Sequence, residues 1–411
     1  MRVLLIHQAF ATPTQGGGTR HYELAQHLLK EGHSFTVVTG NIDYLTGTKL
    51  TQGKQLVAED RVDGLRILRA YVYPSVHRSY IWRVVAFLSF MVTSIIAGIK
   101  AGDVDIVMGT TPPIFQAVSA WIVAMVRRRP FLLEVRDLWP EFAIGMGVLR
   151  IPVLIALSRR LESTLYWAAS HILVNSPAYR DYLLAKGIDP AKITLIPNGV
   201  SPEMFDPGAD AGAFRARHQV VDKFVVTYSG ALGQANDIPV ILNAADRLRD
   251  KENIHFLLVG DGKDREALQA QTLERALSNV TFTGSVPKNE MSDVLAASDA
   301  CIATLQNIPM FTTTYPNKVF DYMAAGRPTI LAIDGVIREV IDACEGGLFV
   351  PPGDAQALAQ AILTLASDPD RGRAMGQRAR NYVVLHFNRA DHAHQFSQLL
   401  TRLKWTPMSR Q

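Results

Sequence analysis

The chain has 411 residues, more than one ordinary hydrophobic core holds, and at about 150 residues per domain it divides into two to three, of which two fit the pattern below. Its 48% hydrophobic and 19% charged residues, with a slightly positive mean hydropathy, exclude a disordered or fibrous chain. Residues 1–200 hold 21 Lys and Arg against 14 Asp and Glu, while residues 201–411 hold 21 against 24, so the first half is either variable in its surface or drawn to a polyanion, nucleic acid or an anionic membrane leaflet.

Val3 to Ile6 reads as a buried strand, too short for the apolar region of a signal peptide, so the expected place is the cytoplasm. After a loop come Gly16, Gly17 and Gly18, then a helical run from Arg20 to Glu31 stopped by Gly32, then a parallel strand from Phe35 to Thr39. This is a Rossmann-like unit. Its glycines let backbone amides approach a phosphate at a helix start, although such turns also serve as plain connectors. Residues 41–63 read as a long polar excursion and Gly64 to Ala70 as a strand.

The run from Tyr80 to Lys100 is nearly all apolar with one internal charge, Arg83. It is borderline for a membrane span, but a soluble strand from Asp103 to Met108 follows at once, so a helix of the first domain is expected, buried or lying at a bilayer surface. Tyr80, Trp82 and Arg83, with Lys100 and Arg127 to Arg129 further on, are the residue types expected beside anionic headgroups. Phe131 to Val135 is a strand that ends in Arg136, Asp137, Leu138, Trp139, Pro140 and Glu141. An acid just past a buried strand either touches a substrate hydroxyl or caps the next helix. Ile151 to Ala169 reads as a helix, Ile172 to Ser176 as a strand and Ala178 to Lys186 as a helix, and the turn Pro197-Asn198-Gly199 closes the domain.

Phe224 to Ser229 opens a second domain as a strand entering a loop with Gly230 and Gly233, where close backbone approach suits a phosphate. Gln234, Ala235, Asn236 and Asp237 follow without a cation, which leaves Lys318, or more weakly Arg20, to supply charge. Phe256 to Val259 ends at Gly260, Asp261 and Gly262, and Val280 to Thr283 ends at Gly284, Ser285 and Val286. Cys301 and Cys344 lie in apolar or helical contexts without metal-ligand spacing, as buried thiols of a reducing compartment do. Pro316 and Asn317 start a short helix that Gly326 and Pro328 stop, with Lys318 and Asp321 three apart on its first turns. From these residues alone the pair is either a solvated helix pair or, beside free amides, an anion and hydroxyl site. Beyond Ala355 the chain reads as helical to about Lys404.

Several of these strings together resemble glycosyltransferase family 4. The start Glu23-Leu24-Ala25 with Gly32-His33, the turn Ile196-Pro197-Asn198-Gly199-Val200, Val259 to Gly262, Phe282 to Val286 and Tyr322 to Pro328 carry the likeness over most of residues 1–385. The strings Arg136 to Glu141 and Pro316-Asn317-Lys318 are similar to the branch of O-antigen and exopolysaccharide enzymes typified by a fucosamine transferase. The resemblance implies two Rossmann-like α/β domains facing across a cleft, the GT-B arrangement, with residues 1–196 on the acceptor side, 197–385 binding the nucleotide sugar, and 386–411 returning as a helix to the first domain.

It also implies that Gly17 and Gly18 face the donor phosphates and sugar, that the backbone at Val286 meets the base, and that Asp321 bonds the ribose. The family's usual acid there is Glu, and its second Glu is replaced here by Thr313; its Arg and Lys after the second-domain glycine loop are absent, and Arg136 stands where many members have His. The implied activity is retaining, metal-independent transfer of an amino or deoxy hexose from a nucleoside diphosphate, most simply UDP, to a polyprenyl-diphosphate-linked saccharide at the inner membrane surface. Asp137 and Arg136 are the expected acceptor-side catalytic residues; Gly17, Gly18, Arg20, Gly230, Gly233, Gly260, Gly262, Val286, Asn317, Lys318 and Asp321 are the expected donor-side set. No cofactor and no nucleic acid are expected. The alternatives are a non-hydrolysing sugar-nucleotide epimerase, which needs several acids and a His around the sugar, and a nucleic-acid protein, for which Arg127 to Arg129 lack interleaved aromatics.

Overall fold

The computed structural model describes residues 1–404 apart from 16, 44–46, 52, 54 and 75–79, together with the backbone but not the side chains of Tyr80, Ile81 and Lys404. Gly16 of the glycine turn and the Tyr80 ring thus lie outside the described residues. The chain forms two compact units, one of residues 1–10, 19–197 and 390–411, the other of residues 11–18 and 198–389.

The first unit begins with β1 (Arg2–Ile6), α1 (Arg20–Lys30), β2 (Ser34–Gly40), β3 (Val57–Val62), β4 (Leu65–Ala70) and α2 (Tyr80–Ile99). It continues through β5 (Ile106–Thr111), α3 (Ile114–Arg127), β6 (Phe131–Val135), α4 (Glu141–Gly145), α5 (Pro152–Ala168), β7 (His171–Val174), α6 (Pro177–Ala185) and β8 (Ile193–Leu195). The sheet order is β3-β4-β2-β1-β5-β6-β7-β8. All neighbours are parallel except β3 and β4, which pair antiparallel from Val57 opposite Ala70 to Val62 opposite Leu65. β1, β5 and β6 are buried along almost their whole length because helices cover both faces of a parallel sheet.

Two expectations change here. The excursion at residues 41–63 contains β3, whose charged Glu59, Asp60 and Arg61 hide it from a hydrophobicity pattern. As an edge strand it needs little apolar surface, and Glu59 and Asp60 instead pair with Arg66 and Arg69 of β4. The helix α2 packs on the sheet and on α3, burying Ala86, Phe90 and Ala97, while Trp82, Leu88, Val92 and Ile99 stay exposed. Its stretch Trp82–Ile99 is long and apolar enough to cross a membrane, yet α2 joins β4 to β5 of one sheet. Arg127, expected at a headgroup surface, instead donates to the carbonyls of Gly98, Ile99 and Gly102 and caps the end of α2.

The second unit holds α7 (Gly212–Arg217), β9 (Phe224–Ser229), α8 (Ile238–Arg247), β10 (Ile254–Val259), α9 (Arg265–Glu274), β11 (Val280–Gly284) and α10 (Met291–Ala296). There follow β12 (Ala300–Thr304), α11 (Asn317–Ala324), β13 (Thr329–Ala332), α12 (Val336–Cys344), β14 (Gly347–Phe349), α13 (Ala355–Ser367) and α14 (Pro369–His386). Its six strands are parallel in the order β11-β10-β9-β12-β13-β14. The long C-terminal helical stretch is broken twice, before Pro369 and at Phe387-Asn388, and resumes as α15 (Arg389–Lys404). Phe396, Leu399 and Leu400 of α15 lie in the core of the first unit with Leu5, Leu28 and Phe35.

Candidate active site

In each unit the chemistry-bearing residues gather where the parallel strands end, the position at which such sheets place their ligands. In the first unit Glu134, the penultimate residue of β6, is 1% exposed. Its carboxylate accepts from Arg20 Nε at 3.1 Å and from His21 Nε2 at 2.5 Å. Burial alone would raise its pKa, but His21 and the Arg20 guanidinium outweigh that and hold it well below the usual carboxylate range. Arg20 also donates to the carbonyls of Pro197 at 2.7 Å and Ile196 at 2.8 Å. The weaker sequence candidate for the diphosphate cation is therefore a buried bracket between α1, β6 and the end of the first unit. Its charge is matched inside that unit.

Arg136 and Asp137 follow β6. Arg136 Nη1 donates to His7 Nε2 at 3.1 Å, and the His7 ring meets His21 edge-on at 4.6 Å between centroids. Burial, the His21 ring and Arg136 all push the His7 pKa well down, so it is a neutral imidazole. Asp137 is half-buried, and desolvation raises its pKa to about 6 even though Arg136 opposes this. Its backbone carbonyl accepts from Thr111 Oγ1 and from the Trp139 amide, which fixes the turn. Glu134, His7 and His21 are site residues that the sequence reading passed over. Their signal was available in part: His7 follows β1 as Arg136 follows β6, and His21 adjoins Arg20.

In the second unit α11 is anchored by Tyr322, whose hydroxyl accepts from the Ser229 amide at 2.8 Å, at the end of β9. That anchor sets the amino end of α11 beside the glycine turns. Its first turn has no side-chain cap, so amides there are left for a ligand. Lys318 Nζ donates to Tyr228 Oη at 2.7 Å and Asn236 Oδ1 at 3.1 Å, and burial lowers its pKa to about 7. Asp321 instead accepts from Lys288 Nζ at 2.6 Å, in the turn after β11. The two residues share a helix but have different partners. Lys288 is a second cation that sequence reasoning missed, because 33 positions separate it from Asp321.

The glycines divide by physical role. A side chain at Gly230 would stand 2.7 Å from Lys318 Nζ, and one at Gly260 would stand 1.9 Å from the Gly230 carbonyl. Gly262 meets Leu232 in the same way, at 2.4 Å from its carbonyl. Gly260 and Gly262 are therefore required by turn-on-turn packing, while Gly230 is favoured by its φ of +143°; the Gly230 amide is bonded to the Val259 carbonyl and the Leu232 amide to that of Asp261. Gly233 has open space around it, which keeps that part of the loop accessible. Val286 packs its side chain on the core and leaves its backbone at the turn. Gly17, at φ +122°, and Gly18 lie in the 11–18 segment that groups with this unit; Gly18 faces Asn317 Nδ2 at 3.8 Å, and the Asn289 amide donates to Pro13. The buried Asn317 Oδ1 has no hydrogen-bond partner.

Comparison with known proteins bears on the family and the fold. Residues 15–199 match the model of a glycosyl transferase 4-like domain and residues 223–368 that of glycosyl transferases group 1. The chain is 27% identical over 262 residues to a probable glycosyltransferase WbjE of Pseudomonas aeruginosa, covering 63% of this chain and 65% of that one, just under two thirds of its length. It is 22% identical over 375 residues to a putative colanic acid biosynthesis glycosyl transferase WcaI of Escherichia coli K12, covering 88% and 91%. Among solved structures, sucrose-phosphate synthase of Thermosynechococcus elongatus has a TM-score of 0.77 at 22% identity over 98% of both chains. Anabaena HepE in complex with UDP-glucose has a TM-score of 0.74 at 18% identity, over 98% of this chain and 100% of that one. These structures share the fold, which is GT-B. With the two domain models matched in order along it, the chain belongs to glycosyltransferase family 4.

Proposed function

We propose that the protein transfers an amino or deoxy hexose, with retention, from a UDP-sugar to a polyprenyl-diphosphate-linked saccharide during surface-polysaccharide synthesis on the inner face of the membrane. The observation that carries this reading is the rim of the second unit. There an uncapped helix end, a lysine poised near neutrality and a paired carboxylate lie on one short helix, α11. Such a rim suits a diphosphate at the amides and Lys318 and a ribose at Asp321. Support for the pathway comes from relatives and neighbours: WcaI is described for colanic acid biosynthesis, WaaG for lipopolysaccharide biosynthesis, and HepE was solved with UDP-glucose.

In this reading the amides and Lys318 stabilise charge that grows on the leaving diphosphate in place of a metal ion. The leaving phosphate takes the proton of the acceptor hydroxyl on the same face of the sugar, and the new glycosidic bond forms as the sugar–phosphate bond breaks. Asp137 orients that hydroxyl. Exposed Leu88 and Val92 on α2, with Arg83 and Lys100 at its ends, suit reversible attachment to an anionic leaflet. Incubation with radiolabelled UDP-sugars and a membrane extract of lipid-linked saccharides tests the activity. Transfer of label to the lipid fraction with the donor's anomeric configuration supports it, and inversion or release of free sugar contradicts it.

A further inference from the structure

At the rim of the first unit one cation, Arg136, is left without a carboxylate in direct contact among the described residues. The Glu134 carboxylate is taken by Arg20 and His21. Arg136, half-buried, has as its side-chain partner the neutral ring of His7 and forms no ion pair among the described residues. Asp137 is adjacent in sequence, yet it too makes no ion pair with Arg136 among the described residues. Because Arg136 donates to His7 Nε2, the ring proton sits on Nδ1, and that buried nitrogen has no hydrogen-bond partner. His7 as a whole is only 4% exposed. A buried donor without an acceptor is a costly arrangement unless a ligand completes it, and the guanidinium beside it feels Glu134 and Asp137 only at a distance, with no carboxylate on its remaining N–H groups among the described residues.

We propose that Arg136, oriented by His7, forms a subsite for a phosphate oxyanion on the first unit. A guanidinium bonded on one nitrogen keeps its other N–H groups in a fixed fork that matches two phosphate oxygens, which a lysine there would not offer. The His7 Nδ1–H remains for a further oxygen of the same molecule. The neutral ring suits this task because it holds the fork without competing for the anion. Glu134 keeps His21 and Arg20 in place behind it, so no carboxylate of that bracket is left to repel the ligand. The inference rests on the glycosyltransferase reading, since two diphosphates then come to hand, that of the lipid-linked acceptor and that of the nucleotide.

Ring-nitrogen NMR of histidine-labelled protein tests the subsite without turnover, with the His7 signals assigned by their loss in His7→Gln. The protein is first saturated with UDP and then titrated with inorganic pyrophosphate. Saturable movement of the His7 signals by pyrophosphate over UDP, weakened tenfold or more in Arg136→Gln and partly retained in Arg136→Lys, supports the subsite and assigns it to the acceptor's diphosphate. Movement on UDP alone supports the subsite and assigns the oxyanion to the nucleotide. Unmoved His7 signals in both arms, or equal pyrophosphate affinity in a folded Arg136→Gln variant, overturn the proposal. A protein that binds no nucleotide sugar but still shows the pyrophosphate response would sink the glycosyltransferase reading and leave the anion site standing.

Discussion

Lys288 Nζ lies 2.6 Å from Asp321 Oδ2, with the two side chains 11% and 14% exposed, so the carboxylate expected to meet the ribose is held by a cation from a different turn. Lys288 also lies over the Phe205 ring, 5.1 Å from its centroid, which fixes its stem. The pair orients Asp321 before any ligand arrives. Replacing Lys288 with Met removes that cation and leaves the carboxylate less ordered, and nucleotide-sugar affinity should fall by about 1.5–3 kcal/mol, the scale of a charged hydrogen bond. Calorimetry on Lys288→Met, Asp321→Asn and the double variant checks this. The double variant should lose less than the sum of the two single losses.

Lys318 gives a pH signature. Burial lowers its pKa to about 7, whereas the unfolded chain holds it near the ordinary lysine value. Between those values the unfolded state binds the extra proton, so the free protein should gain stability as pH rises from about 7 towards about 10.5. Diphosphate binding favours the ammonium and works in the opposite sense. UDP affinity should therefore fall as pH rises above 7, with proton uptake on binding, and Lys318→Met should flatten both profiles. Calorimetry in buffers of different ionisation heat measures the uptake; a pH-independent UDP affinity in the wild type would remove Lys318 from the diphosphate.

Asp137 titrates in a different window. Its pKa is raised to about 6, mainly by desolvation, so the ionised form that can accept from a hydroxyl is lost as pH falls through 6. The same shift makes its contribution to stability present below about 3.8 and lost as pH rises through about 6. Turnover should show an acidic limb near pH 6 that is absent in Asp137→Asn. That variant should lower kcat far more than donor affinity. Equal losses in both would move Asp137 to the donor side.

Much of this arrangement could be read in the sequence wherever neighbours along the chain decide the outcome. The bounds of α11 follow from Pro316 and Gly326, and the placing of Arg136 and Asp137 follows from the buried run before them. Hidden from the sequence were contacts between distant positions. His7 and Arg136 are 129 apart, Lys288 and Asp321 are 33 apart, and Arg20 reaches Glu134 across 114. The Gly230 loop was read as a place of close approach for a phosphate, and the atoms nearest a side chain at Gly230 belong to the protein's own Lys318 and Tyr228. Edge strand β3 was hidden because Glu59, Asp60 and Arg61 interrupt its apolar pattern, and Glu59 and Asp60 make ion pairs with β4.

Tyr322 tests how the second-unit rim is built. Its buried hydroxyl accepts from the amide and hydroxyl of Ser229 and ties α11 to the sheet. Tyr322→Phe leaves that amide unsatisfied, and stability should drop by about 1–3 kcal/mol. Denaturant unfolding measures the loss. A change below the error of the method would mean that packing alone seats the helix.

Membrane attachment should be electrostatic and reversible. Flotation on anionic liposomes is expected at low salt and release at high salt, and Val92→Asp, on the exposed side of α2, should weaken it. Retention through high salt and alkaline carbonate would contradict a surface helix. Failure to float at all would make α2 a core helix alone.

The central claim is that the second unit binds a nucleoside-diphosphate sugar through α11. The most direct measurement is a thermal-shift and calorimetric titration of wild type and Asp321→Ala against a panel of UDP-, GDP- and dTDP-sugars. Saturable stabilisation by at least one of them, with affinity falling about tenfold or more in the variant, is the predicted result. No stabilisation by any nucleotide sugar, or unchanged affinity in a folded Asp321→Ala protein, would contradict it.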